Sequence, residues 1–312
     1  AEARRRAPRL SYEDRPVPRQ MGLKVLDGID LETLREYIDW TPFFRTWRLP
    51  GTYPAILEDE RVGAEARRLF HDAESLLEKV IREGSLQARA VLGLFPAARQ
   101  GDDLILYEDA SRTEVRARVP FLRQQRGSEA GRPNLSLVDF VAPEGDFAGA
   151  FACTAGLGAD RLAASFEADG DDYSAILIKA LADRLAEACA EYLHLMVRRQ
   201  WWGYAADEPA DTDLLAEEYR GIRPAPGYPA CPDHFAKKAL FALLGAEKNA
   251  GMNLTENGSM EPAASVSGWY FAHPEARYFG IGRIGPDQVA DYARRCGITE
   301  DEAARWLTAN LD

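Results

Sequence analysis

No stretch of this 312-residue chain is apolar for the length of a bilayer crossing. Even Ala175–Ala182 is interrupted by Lys179, so no membrane span is expected. The N-terminus is charged and lacks an apolar core, which predicts no secretory signal. Basic residues are outnumbered, 38 against 50 acidic ones, for a net charge of −12. Such a balance leaves no basic face for nucleic acid, and no nucleic-acid partner is expected. Cysteine is scarce. Cys153, Cys189, Cys231 and Cys296 stand without paired spacing, which fits buried thiols in a reducing cytoplasm rather than a disulfide framework. Internal repeats and low-complexity tracts are missing too.

What is present is apolar content, at 46% of residues enough to bury a sizeable core. Residues 1–20 carry Arg4, Arg5, Arg6 and three prolines with little apolar periodicity, and read as a solvated linker or arm. The rest, 21–312, reads as one domain. Asp30 can cap a short helix, Leu31–Ile38, that ends near Asp39 ahead of Pro42. Ala66, Leu69, Phe70, Ala73, Leu76, Leu77 and Val80 fall at helical spacing, with Gly84 placed for a left-handed cap. Short β-type runs follow at Ala90–Phe95, Leu104–Tyr107, Val115–Val119 and Gly149–Thr154. A helix is expected over Ala159–Ala168, and the longest element over Asp171–Trp202. After an acidic, loop-prone segment, Ala206–Glu218, come a helix from about Asp233 to Leu244 and a final strand pair, Ser265–Ala272 with Tyr278–Ile284. Two helices close the chain: Pro286–Cys296, with proline in its first turn, and Thr299–Leu307, with Thr299 and Glu302 as a capping box. Strands interleaved with helices without regular alternation point to α+β.

One stretch is unusual. Arg223 to His234 holds Pro224, Pro226, Pro229 and Pro232, so neither helix nor central strand can run through it. A loop this stiff has surrendered most of its conformational entropy before meeting a ligand, and Gly227 lets the backbone bend or approach one. Arg223 offers a fork for a carboxylate or phosphate, and Tyr228 a flat face with a hydroxyl. The loop alone equally admits a rigid connector. Other motifs carry less. Gly156-Leu157-Gly158 lacks the third glycine of a dinucleotide loop. Cys231-Pro232-Asp233-His234 has no second pair for a metal, and His71, His194 and His273 stand apart from any nucleophile elbow.

The proline stretch, followed by a helix, resembles the signature of the activation domain of cobalamin-dependent methionine synthase. The likeness continues, in the family's order, through Ile38-Asp39-Trp40-Thr41-Pro42-Phe43-Phe44, Ile56-Leu57-Glu58-Asp59-Glu60, Gly93-Leu94-Phe95-Pro96-Ala97, Leu122-Arg123-Gln124-Gln125, Lys179 to Glu187, and Ala264-Ser265-Val266-Ser267-Gly268-Trp269-Tyr270-Phe271. The resemblance implies a single C-shaped α+β domain with a bent antiparallel sheet flanked by helices. It implies that S-adenosylmethionine is bound, with Arg223 on its carboxylate and Asp39 and Glu187 at its cationic end. Ala225 and Gly227 would offer backbone contacts, Tyr228 would lie between ligand and cobalamin, and Tyr278 and Phe279 would line the adenosyl side.

The implied activity is that of a methyltransferase module working in the cytoplasm: the methyl group of S-adenosylmethionine is presented for reductive methylation of cob(II)alamin. Cobalamin would be held by a neighbouring module, since the Asp-x-His-x-x-Gly pattern is missing from these residues. Flavodoxin or a similar one-electron donor is the further partner implied, and the basic N-terminus would be the hinge tether. The segment after Gly156-Leu157, acidic in some relatives, is Gly158-Ala159-Asp160 here, which leaves Asp183 as the acidic candidate for docking. Two other readings stand beside this one: a free-standing S-adenosylmethionine-binding protein serving a separate cobalamin protein or acting as a sensor, and a Rossmann methyltransferase, which would require a parallel sheet.

Overall fold

The computed structural model describes residues 2–126, 131–209, 212–214 and 216–311. A one-turn helix, α1 (Glu2–Arg5), and an extended arm lead into β1 (Gly22–Ile29), a strand with no clear sequence signal. Asp30 accepts hydrogen bonds from the Glu32 and Thr33 amides and caps α2 (Leu31–Arg35). The expected continuation to Ile38 does not occur. Asp39 instead caps a second helix, α3 (Trp40–Thr46), by accepting from the Thr41 amide at 2.9 Å. Pro42 sits in the first turn of α3, where its missing N–H costs nothing, so it follows a helix start rather than a helix end.

The long amphipathic helix α4 (Gly63–Glu83) buries Ala66, Leu69, Ala73, Leu77 and Val80 and closes on Gly84, left-handed at φ 61°. Four strands follow: β2 (Gln87–Gln100), β3 (Asp103–Tyr107), β4 (Val115–Pro120) and β5 (Asp146–Leu157). Then come α5 (Ala159–Ala168) and α6 (Asp172–Met196). The latter passes into a π-helical turn over Val197–Trp201, so the 171–202 expectation holds in extent but not in uniform geometry. Beyond the proline stretch lie α7 (Ala236–Leu244), which starts three residues later than expected, and α8 (Ala246–Ala250). A two-residue pair, β6 (Asn253–Leu254) and β7 (Met260–Glu261), precedes β8 (Ser265–Tyr270), and α9 (Pro286–Cys296) and α10 (Glu300–Trp306) close the fold.

All pairing in the main sheet is antiparallel, in the order β4-β3-β2-β5-β8, with β1 beside the first half of β2 and β3 beside its end. Alternation along the central strands feeds two cores. Ala88, Ala90, Leu92 and Leu94 of β2, with Cys153 and Ala155 of β5, face α4 and α6. Val91, Phe95 and Ala97, with Ala148, Ala150 and Ala152, face α7 and α8. Both faces are covered, so these strands read as nearly unbroken apolar runs. A third, smaller core joins α9 and α10 through Val289, Tyr292, Ala303 and Leu307. The α+β class and the antiparallel sheet flanked by helices are as the sequence implied; among the described residues there is no parallel sheet of a Rossmann methyltransferase.

Tyr278–Ile284 forms no strand with β8, because that edge is already occupied, as described below. The arginine run is not a solvated tether either. Arg4 pairs with Asp102 at 2.6 Å and Asp291 at 3.0 Å, the Asn134 amide donates to the Arg6 carbonyl, and the Trp202 indole donates to the Pro16 carbonyl. Asp102 in turn joins a buried ionic knot. Arg123, 2% exposed, grips fully buried Asp139 through both terminal nitrogens at 2.6 Å and reaches Asp102 through Nε at 2.9 Å. Replacing Arg123 with Met leaves buried Asp102 with Arg4 alone and buried Asp139 with Arg99 alone as cationic partners, and a loss of about 3–5 kcal/mol is expected. Urea unfolding of the two proteins checks this; a loss below about 1 kcal/mol would mean that water reaches the knot.

Candidate functional site

The site is built on the free edge of β8. The Ile222 amide donates to the Phe271 carbonyl and the Phe271 amide returns to Ile222, at 3.0 and 3.1 Å; the Trp269 amide donates to the Pro224 carbonyl at 2.9 Å. Residues 222–224 therefore lie along β8 as a short added strand. Proline is tolerated because an edge residue need only accept. Gly268 makes the approach possible, since a Cβ there would meet the Pro224 oxygen at 2.7 Å. Period-2 alternation then decides where the side chains go. Ile222 enters the core under α7, and Arg223 is turned to the α6 side.

The chain next folds into a tight turn. The Gly227 amide donates to the Cys231 carbonyl at 2.7 Å, and the Cys231 amide to Tyr228 at 2.9 Å. Gly227 has φ 98°, and a Cβ would collide with the His234 ring at 2.4 Å, so no other residue fits. The segment that failed to become a strand crosses this turn: the Ile281 amide donates to the Pro229 carbonyl at 2.8 Å. It thereby brings Tyr278 and Phe279 across from α6.

Between these walls opens a cleft of about 560 Å³, lined by Glu187 of α6, Glu217, Arg223 to Ala225, Tyr228 to Ala230, Val266, Tyr278 and Phe279. Arg223 is its central charge. Its Nε and Nη2 both contact Glu191 Oε2, at 3.2 and 3.1 Å, and Nη1 stands 4.0 Å from Glu187. Its backbone amide donates to the Tyr278 hydroxyl at 3.0 Å. Burial alone would lower the pKa of this guanidinium, but Glu191, Tyr278, Tyr219 and Glu187 together outweigh it and keep the charge.

Six of the eight residues named from the sequence line the cleft: Glu187, Arg223, Ala225, Tyr228, Tyr278 and Phe279. Gly227 shapes the turn beneath it. Asp39 does not line it. It caps α3, and the preceding Tyr37 packs edge-on against Tyr192 of α6. Sequence reasoning passed over Glu217, a lining residue at φ 55° in the acidic segment, part of which lies outside the described residues. Burial pushes its carboxyl above the usual range, against the pull of Arg223. Nothing in a run of acidic loop residues distinguishes it; only the fold sets it opposite Arg223.

Behind Arg223 lies a buried polar layer. Arg198 holds Glu208 through Nε and Nη2 at 2.7 and 2.9 Å, stacks on Tyr219 at 3.7 Å, and stands 3.6 Å from Glu191. His194, fully buried, stacks on Tyr270 and meets the Tyr204 hydroxyl at 3.3 Å. Burial first, then Arg198 and Arg223, hold its pKa well below the usual 6.5. Among the described residues no three of His, Cys, Asp and Glu gather as metal ligands, and no helix is long and apolar enough to cross a membrane.

Fold and cleft together define an α+β ligand-binding domain that offers a guanidinium to an anion and carboxylates to a cation within one apolar-walled groove. The family model described as vitamin B12 dependent methionine synthase, activation domain, matches residues 30–297, and the chain belongs to that family. It is also similar to a solved structure, the MetH reactivation domain bound to AdoHcy. The two share 52% identity over 99% of this chain and 97% of that one, with a TM-score of 0.96.

The buried imidazole has a consequence for stability. His194 stays neutral when folded but takes up a proton when unfolded, below about pH 6.5. Stability contributed by this site is complete above that pH and falls as the pH drops below it, by about 1.4 kcal/mol per unit. In His194→Phe, which keeps the stack on Tyr270, chemical denaturation between pH 7 and 5 is expected to show a shallower fall; parallel profiles would mean the imidazole is protonated in place.

Proposed function

We propose that the cleft binds S-adenosylmethionine and presents its methyl group to cobalamin carried by a neighbouring module of a methionine synthase. The observation that carries this reading is Arg223, set as a fork between Glu187 and Glu217 in one cleft, in a chain half identical to a domain solved with AdoHcy. Arg223 would take the amino-acid carboxylate. Glu187 and Glu217 would face the ammonium and sulfonium, and Val266, Tyr278 and Phe279 supply apolar surface for the adenosine. The bound ligand supplies an electrophilic methyl group. The chain's residues hold it in place, so the rate advantage is one of proximity and orientation.

Tyr228, 60% exposed at the rim, would lie under an incoming cobalamin. Its exposed ring fits a surface that is covered only when the modules meet. Asp183 and Glu187 make the α6 surface beside the cleft acidic, a place for that module to dock. A one-electron donor such as flavodoxin would complete the reaction, returning the oxidised cobalamin to the state that accepts the methyl group. Asp39 belongs to this reading through the resemblance; one of its carboxylate oxygens accepts from the Thr41 amide at the start of α3.

Calorimetric titration with S-adenosylmethionine tests the reading. The wild-type chain is expected to bind, with Arg223→Ala weakening the affinity at least about tenfold, or 1.4 kcal/mol, and Glu187→Gln weakening it less. Equal affinity in Arg223→Ala would remove the proline stretch from the site.

A further inference from the structure

Glu191 is not among the residues that line the cleft, yet it makes the shortest contacts to the guanidinium of Arg223, which does line it. We infer that Glu191 is a positioning residue that determines specificity for ligands bearing a carboxylate. This rests on the S-adenosylmethionine reading and adds to it. A guanidinium has two edges that suit a carboxylate: the side formed by Nε and Nη2, and the end formed by Nη1 and Nη2. Glu191 takes the side edge with a single oxygen, leaving Nη1 directed toward the cleft. The ligand then meets the end of the fork, held in one orientation.

Glu191 can do this because it is itself held. It lies one turn beyond Glu187 on α6, with Tyr219 donating to the same Oε2 at 3.4 Å. Its other oxygen, Oε1, is buried without a hydrogen-bond partner and stands 3.6 Å from Arg198 Nη1, which is likewise unpartnered. Arg198 is fixed in turn by Glu208. A chain of alternating charges, Glu208, Arg198, Glu191, Arg223, thus runs from the protein interior to the cleft.

Without Glu191 the nearest carboxylate to Arg223 is Glu187, 4.0 Å away and inside the cleft. The guanidinium would turn onto it and lose the free end that a ligand carboxylate needs. The contact to Glu191 therefore helps the ligand rather than competing with it. A neutral amide in its place cannot restrain the cation with comparable strength.

The measurement is a pair of titrations, S-adenosylmethionine and its decarboxylated analogue, on wild type, Glu191→Gln and Glu191→Asp. The readout is the preference for the carboxylate-bearing ligand, as the ratio of the two dissociation constants. Both variants are expected to shrink that ratio about tenfold, the worth of one charge-assisted hydrogen bond. Glu191→Asp keeps the charge but is too short to reach the side edge, so it serves if the amide variant fails to fold. An unchanged ratio, whether both affinities fall together or neither moves, would assign Glu191 a purely structural part. Failure of the wild type to bind either ligand would overturn the S-adenosylmethionine reading itself.

Discussion

Everything at the cleft depends on one constraint: the strand that completes the sheet is made partly of proline. Pro224 can accept a hydrogen bond from Trp269 but has none to donate onward, so residues 222–224 can only be an outermost strand. That single fact ends the sheet and turns Arg223 toward α6 by alternation with Ile222. It also excludes Tyr278–Ile284 from the edge, which leaves that segment to cross the turn and form the opposite wall. A donor-bearing residue at 224 would leave an exposed amide to which another strand could add.

The helix α6 supplies the other half. Its apolar residues pack on the sheet from Ala175 to Leu195, and this fixes the azimuth of every polar residue between them. Glu187, Glu191, His194 and Arg198 fall at intervals of four, three and four, hence on one stripe. Along it the surroundings change from the open cleft at Glu187 to full burial at His194 and Arg198. The same stripe therefore presents an acid for a ligand at one end and a closed network at the other. The π-helical turn at Val197–Trp201 lies where Arg198 must reach Glu208 and Trp202 must reach the Pro16 carbonyl, a local widening that serves both contacts.

Much of this was legible in the sequence, for reasons that differ by element. Helices α4, α6 and α9 announce themselves through periodicity and caps, because their packing is local in sequence. The proline stretch announces its stiffness, and the resemblance identifies the residues around it. What stayed hidden depends on contacts between distant residues. Whether Tyr278–Ile284 pairs with β8 is settled by a competitor centred on Arg223, 55 residues before Tyr278. Asp39 looks the same as a helix end or a helix start until the residues after Pro42 are seen to coil. Glu217 and Glu191 have no sequence mark at all; the former is one acid among several in a loop, the latter one polar residue on a long helix.

The arm bears on how the domain could move. A swing of the domain onto a cobalamin module needs a flexible point, and flexibility belongs where few bonds cross. Residues 4–20 do not meet that description. Arg4 is tied into the Asp102 and Asp291 carboxylates, Tyr12 donates to the Asp139 carbonyl and packs edge-on against His273, and Pro16 and Gln20 are bonded to the end of α6. Arg4 also shares Asp102 with the buried Arg123, so freeing the arm would leave that acid a weaker set of partners. In the proposed motion these residues travel with the domain as part of its rigid body. Their basic composition, which reads as a tether in isolation, is what ties an extended chain to the carboxylates of Asp102 and Asp291.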